Sequence, residues 1–144
     1  MVRIVVGVDG STSSKEALRW ALDEARLRGA TLRVVYAWKM PLYVGNGFAP
    51  VAIPGRKALR AAAVARLDET VATALRDVHD VRIERKAVEG SAASVLLEEA
   101  DGANLLVIGS RGHGGFAGLL LGSVGQQCAS HAQCPVVIVR GDPG

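Results

Sequence analysis

The stretch Asn104-Leu-Leu-Val-Ile-Gly109-Ser110-Arg111-Gly112 is followed, after nine residues, by Gly122-Ser123 and then Val124-Gly-Gln-Gln-Cys128-Ala-Ser-His131. The first part is an apolar run of strand length that ends in glycine. The last part has the length and composition of a short helix. A strand that passes through glycines into a helix N-terminus forms an anion cradle. Backbone N–H groups point at the anion, and glycine lets the chain approach it closely. The spacing therefore predicts a phosphate site between the end of a strand and the start of a helix.

Outward from this stretch, the chain alternates. Arg3 to Val8 is a β-branched run closed by Asp9-Gly10-Ser11, which reads as a buried strand. Ser13 and Glu16 fit a capping box at the start of a helix. In that helix Leu18, Ala21, Leu22 and Ala25 recur at helical spacing, and Gly29 is its stop. Thr31 to Ala37 is a second strand. Met40 to Gly55 carries three prolines and three glycines and reads as a long loop. Lys57 to Asp77 is helical again, with Val64, Leu67, Val71, Ala74 and Leu75 as its apolar stripe and a solvated start around Arg60.

Val81 to Val88 is a third strand whose polar positions, Arg82, Glu84 and Lys86, suggest a wet face or a sheet edge. A short helix follows Gly90-Ser91, carries Val95, Leu96 and Leu97, and closes near Asp101-Gly102. Pro135 opens a fifth strand, Val136 to Val139. Strands alternating with helices give an α/β fold: a Rossmann-like, doubly wound, five-stranded parallel sheet with helices on both faces. With right-handed crossovers and strand order 3-2-1-4-5, the first and fourth strands flank the ligand crevice at their carboxyl ends. Asp9 and Gly109 stand at those two ends.

Bulk properties agree. The 144 residues predict one domain over 1–144. The chain is 49% hydrophobic but only 4% aromatic, so the core must be aliphatic, as in a parallel sheet covered by Ala-rich helices. The net charge of +3 is mild, and without a Lys/Arg-rich run it does not point to nucleic acid. No apolar run reaches the length of a membrane span, roughly 20 residues. The opening residues read as a strand rather than a signal peptide. Cys128 and Cys134 form no CxxC pair and no zinc-ligand spacing, which predicts two reduced thiols in a cytoplasmic protein.

Asp9-Gly10-Ser11 after the first strand, together with Gly109-x2-Gly112-x9-Gly122-Ser123, resembles the universal stress protein family. Its ATP-binding members carry the pattern Gly-x2-Gly-x9-Gly-Ser/Thr. The resemblance spans the chain from Val-Gly-Val-Asp-Gly-Ser to Cys-Pro-Val-Val-Ile-Val. It implies ATP in the crevice, with or without Mg²⁺, and a homodimer paired through the last strand. Position by position, the phosphate loop is Gly109, Ser110, Arg111, Gly112, Gly122 and Ser123, with Val124 beside it. The adenosine side is Val8, Asp9, Ala37 and Ile108. It implies a regulatory protein of the stress response, whose downstream partner the sequence does not name.

The residue chemistry runs parallel. Arg111, and His113 when protonated, can pair with phosphate oxygens. Ser123 at a helix start can hold a phosphate. Asp9 can accept from a ribose hydroxyl or the adenine amine, contact Mg²⁺ indirectly, or simply cap a turn. No Gly-x4-Gly-Lys-Ser/Thr run exists, which excludes a P-loop NTPase. Gly112-x-Gly114-x2-Ala117 mimics a dinucleotide fingerprint but follows the fourth strand instead of the first. The Ser/Thr cluster at 11–14, Ser94 and Ser130 have no partners for nucleophilic work. His79 and His131 are expected at surfaces or helix ends. The expected protein binds ATP and hydrolyses it weakly at most. The competing readings are a slow ATPase or nucleotidyl-transfer enzyme, and a dimeric scaffold without nucleotide.

Overall fold

The computed structural model describes residues 2–40, 55–110 and 122–140. Its elements follow the chain as β1 (Arg3–Val8), α1 (Thr12–Arg28), β2 (Thr31–Trp38), α2 (Arg56–Ala74), β3 (Ile83–Glu89), α3 (Ala92–Glu99), β4 (Leu105–Gly109), α4 (Ser123–His131) and β5 (Val136–Val139). All neighbouring strands are parallel, in the order β3-β2-β1-β4-β5. The expected five-stranded α/β sheet and its strand order are therefore present. The order reverses between β1 and β4, because the chain fills one side of β1 with β2 and β3 before crossing to the other.

The central strands are apolar throughout because both of their faces are covered. Alternate side chains divide between two cores. Ile4, Val6, Val8, Leu32, Val34, Leu105 and Val107 pack with Leu18, Ala21 and Leu22 of α1 and Leu67 and Val71 of α2. Val5, Val35, Leu106 and Ile108 pack with Val95 and Leu96 of α3 and Cys128 of α4. β3 and β5 are the edges. Arg85 and Lys86 on β3 are exposed, and all four residues of β5 are half-buried.

Helix ends are set by local chemistry. Gly29 ends α1 in the left-handed conformation at φ 61°, which glycine adopts without a Cβ penalty. The predicted capping box at Ser13 and Glu16 is not used. Ser11 is the N-cap of α1, and its Oγ accepts from the Ser14 N–H at 3.1 Å. Ser13 instead lies inside the helix, buried against β4. On α2 the stripe is displaced. Val64 is 42% exposed, and Ala63 takes the buried position beside Leu67 and Val71. One step of about 100° along a helix is enough to move a side chain off the packed face. α2 ends at Ala74, one turn before the predicted stop.

Both cysteines are free thiols. Cys128 lies in the core and Cys134 is half-buried. Burial pushes both thiols above the ordinary cysteine range. His79 and His131 are exposed, as expected. The long loop predicted over Met40–Gly55 falls mostly outside the described residues.

Candidate functional site

The segment Asp9-Gly10-Ser11-Thr12-Ser13-Ser14 leaves the centre of the sheet and must turn at once into α1. Its own side chains make the turn. Asp9 Oδ1 accepts from the Ser11 N–H at 2.9 Å, the Asx arrangement. The Asp9 N–H donates to Ser14 Oγ at 3.2 Å, and the Ser14 hydroxyl donates to the Ser11 carbonyl at 3.0 Å. Gly10 supplies the positive φ, 84°. The hydroxyl cluster is thus a turn and cap system, and the N-terminus of α1 is closed by its own serine.

The corresponding junction at β4 is built differently. Gly109 ends the strand directly above the first turn of α1. A Cβ on Gly109 would stand 2.4 Å from Ser13 Oγ and 2.7 Å from the Ser13 carbonyl carbon. The first glycine of the frame is therefore required by helix–strand packing. Next to it, the Ser110 N–H donates to the Val139 carbonyl at 2.9 Å, and the Gly122 N–H donates to the Ser110 carbonyl at 2.8 Å. This last bond joins the two halves of the glycine frame and seats the start of α4 on the end of β4.

α4 has glycine at its N-cap, with no side-chain cap bond and no acidic residue in its first turn. A helix start that no side chain closes keeps its first-turn amides available, at the positive end of the helix dipole. Of the two helices that begin at the switch point, α1 is self-capped, and α4 has no side-chain cap among the described residues.

These elements enclose a cleft of about 580 Å³, within the usual range for small-ligand sites, about 300–1,000 Å³. Val8, Asp9, Ala37, Ile108, Gly109, Ser110, Gly122, Ser123 and Val124 all line it. Nine predicted site residues thus converge on one cavity. Arg111, Gly112 and His113 lie outside the described residues.

The cavity also has lining residues that the sequence pattern did not reveal. Leu96 and Ala92 of α3 form part of one wall. Leu96 settles on Gly7, where a Cβ would meet its methyl groups at 2.8 and 2.9 Å. Lys39, just past β2, and Arg66, on α2, bring two cations to a cavity whose lone carboxylate among the described lining residues is Asp9. The place of Lys39 directly after β2 is the signal that could have found it. Arg66 had no such signal, because its position depends on how α2 lies across the sheet. Among the described residues no cluster of three His, Cys, Asp or Glu side chains is disposed to hold a metal ion.

The family model described as the universal stress protein family matches residues 1–140. The chain belongs to the universal stress protein family. A universal stress protein of Mycolicibacterium smegmatis is 37% identical over 137 residues, which cover 95% of this chain and 45% of the relative. One from Thermus aquaticus is 34% identical over 140 residues and is covered over 97% of its length. Apart from such single-length relatives, the chain spans just under half the length of the curated relatives it matches first. Among solved structures, a universal stress protein in complex with cAMP is 31% identical, with a TM-score of 0.72 and 98% of each chain covered. UspA of Lactobacillus plantarum has a TM-score of 0.77 at 18% identity, covering 96% of this chain and 97% of the neighbour, and shows the shared fold. Among the described residues no helix is long and apolar enough to cross a membrane.

Proposed function

We propose that this universal stress protein is a cytoplasmic, adenine-nucleotide-binding regulatory protein of the stress response that takes ATP in the β1–β4 cleft. The observation that carries the proposal is the open N-terminus of α4, fastened to the end of β4 by the Gly122–Ser110 bond. Its amides suit a phosphate where the strand order reverses. Gly109, Ser110, Gly122, Ser123 and Val124 hold the phosphates, with Arg111, Gly112 and His113 completing the loop. Val8, Asp9, Ala37 and Ile108 take the adenosine. The complex of a relative with cAMP supports an adenine ligand. Were Mg²⁺ to accompany the phosphates, Asp9 would be the carboxylate of the described lining placed to assist it.

Holding the nucleotide suits this cleft better than consuming it. Phosphoryl chemistry needs a base and commonly a metal site, and among the described lining residues the one carboxylate is Asp9, which already serves the β1–α1 turn. The edge strand β5, with four half-buried branched side chains, is the surface for homodimer pairing. A downstream protein then reads the nucleotide-bound form.

Equilibrium binding of ATP, AMP, cAMP and GTP to nucleotide-free protein tests the proposal. Adenine nucleotides are expected to bind and GTP to compete weakly, and Gly122→Glu abolishes binding by placing a carboxylate at the α4 N-terminus. Absence of adenine-nucleotide binding at millimolar ligand overturns it.

A further inference from the structure

A second cleft, of about 320 Å³, lies on the opposite face of the sheet, between α1 and α2. It meets the first at Asp9, Tyr36 and Arg66, which line both. Lys15 and Arg19 stand one turn apart on α1. Arg66, Thr70 and Thr73 face them from successive turns of α2. Among the described lining residues the acids are Asp9 and Glu69.

Three cations converge on this groove. Arg26, Arg28, Arg33, Arg56, Arg85 and Lys86 each form an ion pair with a carboxylate. Among the described residues, Lys15, Arg19 and Arg66 form none, although Glu69 lines the same groove. Like charges at i and i+4 on a helix repel. A pair of this kind facing a third cation across a groove, without a bridging carboxylate, leaves nitrogen donors that an anion can bridge. The Thr70 hydroxyl is occupied by the Arg66 carbonyl, which leaves the hydroxyls of Thr73 and Tyr36 as the neutral donors among the described lining residues.

We infer that the α1–α2 cleft is a second anion site that accepts a phosphoryl group on a small molecule. Lys15 and Arg19 bind it from one wall and Arg66 from the other, by charge-assisted hydrogen bonds. Since Arg66 reaches both clefts, an anion held on the α1–α2 side changes the charge offered to the β1–β4 side. Lys15 and Arg19 line this cleft alone, so the site exists whatever occupant the β1–β4 cleft takes.

Pyrophosphate titrated into the full chain, followed by amide NMR, tests the inference. Saturable shifts are expected around Lys15, Arg19, Arg66 and Thr73, and they persist when the β1–β4 cleft is saturated with AMP or blocked by Gly122→Glu. In Lys15→Gln/Arg19→Gln the affinity falls about tenfold or more, as loss of charge-assisted contacts requires. These exposed substitutions leave AMP binding within about twofold, so failure of AMP binding and failure of the second site are read separately. Shifts confined to Ser123–Gln126, no saturable shift at millimolar pyrophosphate, or unchanged affinity in the double variant each overturn it.

Discussion

Gly109→Ala tests whether α1 and β4 are in backbone contact at the mouth of the cleft. The added Cβ would lie 2.4 Å from Ser13 Oγ, 2.7 Å from the Ser13 carbonyl carbon and 2.9 Å from the Ser13 oxygen. Two of these atoms are backbone, in the first turn of a helix that is capped by Ser11 and packed on β1 and β4. Rotating a side chain cannot relieve the clash, so α1 or β4 has to move. Overpacking of a tight site costs about 1–3 kcal/mol, and backbone contact puts this case near the top of that range. Alanine regains about 0.4–1 kcal/mol by restricting the unfolded chain. The net destabilisation is about 2 kcal/mol.

For 144 residues the unfolding entropy is about 300 cal/mol/K, so the melting temperature falls by about 7 °C. Thermal unfolding by circular dichroism measures this. A double-mutant cycle with Ser13→Ala sharpens the test. Removing Oγ relieves only the shortest of the three contacts, so the rescue must be partial. A melting temperature unchanged in Gly109→Ala, or restored in full by Ser13→Ala, refutes the backbone reasoning.

Three further outcomes are expected. Gly7→Ala meets only the methyl ends of Leu96, which can turn aside, so it costs about 1 kcal/mol and loses less in a denaturant melt than Gly109→Ala. An equal or larger loss would mean that α3 is held rigidly on β1. Ser11→Ala removes the hydroxyl that accepts from the Ser14 N–H and costs about 1 kcal/mol by loss of the cap. No change in urea midpoint would show that the Asp9 turn alone carries this helix start. The Arg26 side chain, hydrogen-bonded to Asp80, holds that carboxyl below its ordinary 3.8. Its contribution is therefore present above pH 3.8 and lost as the pH falls through the depressed value. Asp80→Asn should flatten the acid limb of the stability curve, and an identical slope in wild type and variant would contradict this.

Much of the fold was legible because parallel strands covered on both faces leave continuous β-branched runs that are hard to mistake. β1 and β5 have the predicted bounds. The errors came where neighbouring serines or apolar residues offered equivalent local choices. Ser11 and Ser13 both satisfy a capping pattern, and only the contact of Ser13 with the end of β4 decides that it belongs inside the helix. Ala63 and Val64 both fit a helical stripe. The rotation of α2 on the sheet exposes the larger of the two.

By itself the sequence determined the alternation of strands and helices, the turn at Asp9 and the glycine frame. Each of these depends on neighbours within a few residues, through hydrogen bonds and backbone freedom that local composition encodes. Only the tertiary structure decided that Ser110 and Gly122 are bonded partners, that Gly109 is demanded by α1, and that Arg66 stands between two clefts. Those relations join residues far apart in the chain, and they arise from how helices settle on a twisted sheet, which no short stretch of sequence specifies.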